Sequence, residues 1–176
     1  MKKTTFVSTI AFVFAMLLTT HVEAQKFAGL DKSPMDAAIY KTSRNAPVIA
    51  KVIYSRPQLK GRSLGSLAPN GKVWRTGANE AANVTIYEDV KIGGKTISSG
   101  EYSLFTIPGE DEWTIIINKD INVWGAYSYE EANDVIRVTA PVSSSEEELE
   151  AFSIAFSEGT MHLGWGTVRV NVPFTN

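Results

Sequence analysis

Arg56, Lys60 and Arg62, followed by Trp74, Arg75, Thr76, Asn79 and Glu80, concentrate donor, acceptor and aromatic chemistry between positions 56 and 80. Arginine presents a planar fork of donors that fits carboxylate, phosphate or sulfate. Tryptophan offers an apolar face on which a sugar ring or a cation rests. The run Thr76-Gly77-Ala78-Asn79 could expose backbone amides in a tight loop, a common way to hold an oxyanion. Together these residues are candidates for binding a small polar or anionic ligand. They also admit a structural reading, in which Arg75 pairs with Glu80 to pin a loop and Trp74 belongs to the core. Asn118 and Trp124, with Gly125, Tyr127 and Tyr129, form a second candidate group after the apolar run that ends at Ile117. Polar and aromatic residues at a strand end commonly build a binding rim. The competing reading there is a loop capped by its own aromatics.

Other chemistries find little footing. His162 is the only histidine beyond residue 24, and the chain has no cysteine. A metal site would therefore need several carboxylates, and neither paired-histidine nor calcium-loop spacing occurs, so no metal and no cofactor are expected. A serine triad would have to use His162, yet no G-x-S-x-G elbow is present. Phosphate-loop and dinucleotide glycine patterns are missing as well. Enzyme chemistry would rest on Glu80, an aspartate, a tyrosine or Arg75. A carboxylate pair alone runs glycoside hydrolysis, but Asp89, Asp120 and Asp134 are all available as the second member and spacing singles out none.

Such residues need a rigid scaffold, and from position 46 onward the chain reads as strands separated by turn signals at short intervals. Residues 48–55 and 84–87 are β-branched and aromatic. Residues 102–107 and 113–117 are apolar at successive positions, which predicts central strands buried on both faces, joined through Pro108-Gly109. Asn70-Gly71 and Gly93-Gly94 are hairpin signals. In 134–142, Ile136, Val138 and Ala140 share one face. Residues 143–150 read as a solvated acidic loop, and Phe152, Ile154 and Phe156 as the inward side of another strand. In the last segment the apolar positions change parity, from Met161, Leu163 and Trp165 to Val168, Val170, Val172 and Phe174. That switch predicts a bulge or a change of sheet within 164–167, with Gly164 and Gly166 absorbing it and His162 turned away from the core. Residues 25–45 read as an extended lead-in with one helical turn at 35–40, and 46–176 as the sheet domain. The fold expected is all-β, an antiparallel β-sandwich of about eight to ten strands, with a jelly roll as a candidate topology.

The first 24 residues carry an address. Lys2 and Lys3 precede an apolar run over 6–18, and Val22-Glu23-Ala24 places small residues where a signal peptidase inspects them, so cleavage is expected before Gln25. The run falls short of the ~20 residues that span a bilayer, and no membrane span is expected in the mature chain. The protein is expected to be exported, to the periplasm or beyond the cell. A cysteine-free exported chain relies on packing and sheet pairing for its stability. Between 41 and 79 lie eight basic residues and no acidic one; from Glu80 onward sixteen acidic residues face five basic. That asymmetry suits an anion-contacting surface, unless basic and acidic strands lie side by side and cancel. The mildly acidic whole argues against nucleic acid.

Tyr54-Ser55-Arg56-Pro57, Lys60-Gly61-Arg62, the octet from Trp74 to Ala81, Gly100-Glu101-Tyr102-Ser103-Leu104-Phe105-Thr106-Ile107-Pro108-Gly109, Asn118-Lys119 and Trp124-Gly125 closely resemble the signature of domain of unknown function 2911, a family of exported bacterial proteins. The resemblance covers about residues 33–174. It implies a secreted or periplasmic β-sandwich from Gram-negative bacteria and brings no assigned activity or catalytic residues. Ser63-Leu64-Gly65-Ser66 stands where the family pattern has a more aromatic or basic run. The function expected is binding of a small polar or anionic ligand, a carbohydrate or a cell-envelope fragment. The alternatives are a carboxylate-based hydrolase acting on such a ligand and a structural or assembly protein of the envelope.

Overall fold

The computed structural model describes residues 25–176, and the signal peptide expected over 1–24 lies outside them. Residues Asp31–Asn176 form one compact unit. Alternation of apolar and polar side chains gives β1 (Met35–Tyr40), β2 (Ala50–Ser55), β3 (Ala82–Ile86), β4 (Val90–Ile92), β5 (Lys95–Ile97), β6 (Gly100–Ile107), β7 (Glu112–Asn118), β8 (Asp134–Ser157) and β9 (Thr160–Thr175). The only α-helix among the described residues is a single turn, α1 (Leu64–Leu67), capped by the Ser63 hydroxyl. The strands join in the order β1-β2-β3-β6-β7-β8-β9-β4-β5, each pair antiparallel. The fold is all-β, as the sequence predicts. Strands β6 and β7 occupy the centre because both their faces are covered: Leu104, Ile115 and Ile117 join the main core, while Phe105 and Ile116 join a smaller one on the opposite face.

The two layers are made by one continuous sheet closing over its own apolar side. Tyr40 of β1 packs on Phe156 and Phe174 of β8 and β9, with ring centroids 5.4 and 5.2 Å apart. The Tyr54 hydroxyl of β2 accepts from the Ile154 amide of β8 at 2.8 Å. At the centre, Trp74 stacks on Trp165 at 5.4 Å and meets Phe152 and Trp113 edge-on. Buried aromatics of this size each remove about 150–250 Å² from water, roughly 4–6 kcal/mol of apolar transfer apiece.

The parity switch in β9 is a reversal rather than a bulge. His162 Nδ1 lies 2.7 Å from Asn171 Oδ1, although nine residues of extended strand would span about 30 Å. The Phe174 amide donates to the Gly159 carbonyl at 2.7 Å, and a Cβ on Gly164 would meet the Arg169 side chain at 3.3 Å. In all three pairs the residue numbers mirror about one point beside Gly166, whose φ is +55°. The strand doubles back there, so Met161 faces Val172, Leu163 faces Val170, and an odd-numbered apolar side meets an even-numbered one. Trp165, Val170 and Val172 are buried, Val168 partly so.

Strand β8 runs around the outside of this reversal and must be longer. From Ser144 to Ser153 it takes nine steps against four in β9, from Val168 to Gly164. The surplus includes 150–152, which pairs instead with the chain after β2: Leu59 donates to the Glu150 carbonyl and Phe152 to that of Pro57, both at 2.9 Å. The acidic loop expected over 143–150 is therefore strand, exposed on the outer track. The helical turn expected at 35–40 is β1, whose six residues pair fully with β2. Gly93-Gly94 does make a hairpin, between β4 and β5. Asn70-Gly71 makes a turn but no hairpin, because it leads from α1 into a single bridge between Trp74 and Thr106.

Candidate functional site

The octet from Trp74 to Ala81 forms a loop held by its own groups. The Arg75 carbonyl accepts from the Ala82 amide at 3.0 Å, and the Arg75 guanidinium donates to the Asn79 carbonyl at 3.2 Å. Thr76 and Asn79 both take left-handed φ, +52° and +62°. For a β-branched residue that conformation is an outlier, and the fully buried Thr76 is held in it by its hydroxyl, which donates to the Thr106 hydroxyl at 3.2 Å. A Cβ on Gly77 would lie 3.0 Å from the Ser55 carbonyl oxygen, so the loop sits directly against β2.

Arg75 and Glu80 form no ion pair, which removes the pairing the structural reading invoked. The arginines are nonetheless engaged. Arg56 donates to Asp36 Oδ2 at 3.1 Å, the Phe152 carbonyl at 3.1 Å and the Ser153 hydroxyl at 2.7 Å, fastening β1 and β8 to the end of β2. Arg62 donates to the carbonyls of Leu59 and Gln58 at 2.9 and 2.7 Å. Lys60, at φ +48°, gives its amide to Glu150 Oε1. Arg62, Trp74, Arg75 and Asn79 line one shallow depression of about 230 Å³, and Lys60 shares a neighbouring one with Arg62. Arg56 stands apart from both, and Glu80 opens on a different cavity. Trp74, at 6% exposure, is a core residue touching that depression.

The second candidate group divides as well. Asn118 is fully buried, its amide donating to the Glu130 carbonyl and Asp134 Oδ1 while its oxygen accepts from the Asp120 amide. Asp134 Oδ2 also accepts from Tyr129 at 2.7 Å and Arg137 at 2.9 Å. Burial, then the bond to Asp134, pushes the Tyr129 phenol up to about 12. This network clamps the connection between β7 and β8, residues 119–133, over the outer face of the central strands, where Val123, Ala126 and Tyr129 pack on Phe105 and Ile116. Trp124 stays 59% exposed, its backbone bridged to Glu80.

That connection covers only part of the outer face. Beside it, across β2, β3 and β6, lies a groove of about 340 Å³. Lys51 and Ser55 come from β2, Asn83 and Thr85 from β3, Glu101 from β6; Glu80 and Asn122 close one end. Asn122 holds a left-handed φ of +57°. Among the described residues the side chains of Lys51, Glu80, Glu101 and Asn122 make no hydrogen bond or ion pair. Ser55 is only 4% exposed and its hydroxyl makes no hydrogen bond, yet no fully enclosed side-chain polar atom lacks a partner; the hydroxyl therefore opens into the groove. Of these residues the sequence reading named only Glu80 as a candidate. Their signal was the polar outward alternation of strands whose inward positions are apolar.

A Ser157-His162-Asn171 row, with Ser157 Oγ 2.8 Å from Nε2, resembles a catalytic triad in its spacing. It lies on open surface between β8 and β9, with both contacts exposed to solvent. No group of histidine and carboxylate side chains among the described residues is arranged to hold a metal ion, and no described helix is long and apolar enough to cross a membrane.

These features define an all-β protein whose one folded sheet carries a groove on its outer face, lined by polar side chains of three strands together with the apolar Met35 and Ile53. The chain matches the family described as protein of unknown function (DUF2911) over residues 33–174, and it belongs to that family. No curated protein and no solved structure matches it.

Proposed function

We propose that the protein is exported and binds a small polyhydroxylated ligand, a carbohydrate or a glycan fragment of the cell envelope, in the groove across β2, β3 and β6. One observation carries this reading: the groove gathers two carboxylates, two amides, two hydroxyls and one ammonium, most of them without partners in the protein. Such a mixture of acceptors and donors suits a ligand presenting many hydroxyls, and a site that leaves its polar groups ready for the ligand avoids breaking internal bonds on binding. Exposed Trp124 does not line the groove, but its backbone bridge to Glu80 brings an aromatic side chain next to one lining residue. An anion at the arginine-rich depression has less support, because those guanidinium groups already bond backbone carbonyls. Hydrolysis has less support too. Thr85 pairs with Glu101, and Glu80 lies five residues from Thr85, so about 16 Å of strand separates the two glutamates along the groove. A hydrolytic pair works at roughly 5–9.5 Å.

The leader-like pattern of residues 1–24 supports export. Expression of the full chain in a Gram-negative bacterium is expected to yield a mature protein beginning at Gln25, read by intact mass; retention of the leader would contradict it. A thermal-shift screen against neutral oligosaccharides, organic acids and phosphorylated compounds tests the ligand class. Ligand at 100 times its Kd stabilises by about 2.7 kcal/mol. Oligosaccharides are expected to raise Tm; a response confined to the acids and phosphates would move the site to the arginines.

A further inference from the structure

The charges around the groove are unequal. Glu80 and Glu101 face it together with one cation, Lys51, and no arginine. Lys51 pairs across β2 and β3 with Thr85, and Thr85 across β3 and β6 with Glu101. Two strand spacings, about 9.5 Å, therefore separate the strand positions of the cation and of Glu101. No ion pair joins them among the described residues. The carboxylates are thus not neutralised from within, and the nearly buried Ser55 hydroxyl opens into the same space.

We propose that the groove selects an amine-bearing saccharide of the glucosamine type over its N-acetylated form and over a uronate; this rests on the saccharide reading above. A sugar ammonium meeting the carboxylate of Glu101 or Glu80 forms a charge-assisted hydrogen bond, about twice as strong as the neutral bond an acetamide N–H would make. Lys51 repels the ammonium from its own side of the groove and so fixes the orientation of the ligand. A uronate seated against Glu101 sets its carboxylate beside one that no cation pairs with, Lys51 lying two strand spacings away. The ring hydroxyls fall to Ser55, Asn83, Thr85 and Asn122, which bond amino and acetamido sugars alike.

Isothermal titration of the protein with a glucosamine tetramer and with its fully N-acetylated counterpart, at a pH where the free amine is charged, tests the selection. The amine-bearing tetramer is expected to bind roughly tenfold more tightly, one charge-assisted bond being worth about that factor. The gap should shrink in high salt and largely close in Glu101→Gln, an exposed position whose substitution leaves the core intact, as an unchanged Tm would verify. Ser55→Ala should weaken both tetramers and leave the gap open. Equal affinities for the two tetramers, or a gap that survives both Glu101→Gln and Glu80→Gln, would overturn the selection while leaving saccharide binding in place. Binding of neither tetramer, nor of a hexuronate, would overturn the saccharide reading itself.

Discussion

Replacing Gly166 with alanine perturbs the point at which β9 doubles back. Space is not the obstacle: an added Cβ would meet only Leu59 Cδ1, at 3.6 Å, an ordinary contact. The cost lies in the backbone, because φ is +55° and an L-residue pays about 1–2 kcal/mol to hold a left-handed conformation. Relaxing that strain by moving φ would pull Trp165 off Trp74 and disturb the packing of Val168, and the burial of Trp165 alone is worth more than the strain. The reversal is therefore expected to persist and the full strain to appear as lost stability. For a domain of this size, about 1–2 kcal/mol lowers Tm by roughly 2–8 °C. Chemical denaturation should show a reduced midpoint at unchanged slope, and Gly166→Asn should fall between alanine and glycine, since asparagine tolerates positive φ better. A Tm for Gly166→Ala equal to that of the original protein would refute the reasoning, because a plain bulge or straight strand with negative φ at this position would accept the methyl group freely.

Arg56→Met removes the donors that fasten β1 and β8 to β2. Because its partner Asp36 is 44% exposed, the ion pair itself adds little; loss of the bonds to Phe152 and Ser153 should cost about 1–2 kcal/mol with saccharide affinity unchanged, and a large drop in affinity would return Arg56 to the site. Tyr129→Phe tests the clamp over residues 119–133. With its folded pKa raised to about 12 from 10, Tyr129 contributes stability that is complete below pH 10 and lost as pH rises through 12. The difference in phenolate absorbance between the original protein and the variant should therefore rise near pH 12, and a rise near pH 10 would contradict the buried bond to Asp134.

Much of the sheet was legible because β-branched and aromatic runs at period two leave few alternatives. Strands β6 and β7 announced their central place by having Phe105 and Ile116 apolar where an edge strand would be polar. The parity change after Trp165 was legible as an anomaly, but a bulge and a reversal both produce it, and only a contact such as His162 to Asn171 separates them. Residues 143–150 looked like a loop because the outer strand of a bend is exposed on both sides and pairs only intermittently. The candidate site was legible only at Glu80. Clustered arginines suggested a ligand, yet the carbonyl that engages Arg56 belongs to Phe152, 96 residues away, and nothing local encodes it. Nothing in the sequence marks Lys51, Ser55, Asn83, Thr85 and Glu101 as one site, for the converse reason: each is an ordinary outward residue of its own strand, and the register of three strands makes them neighbours.

Amide chemical-shift mapping during titration with a neutral oligosaccharide locates the binding site residue by residue. Shifts should saturate together at Lys51, Ser55, Asn83, Thr85 and Glu101 on the outer face of β2, β3 and β6 and at Asn122 beside them, with Arg62, Arg75 and Asn79 unmoved. Shifts centred on those three residues instead, or none at saturating sugar, would contradict binding in the groove.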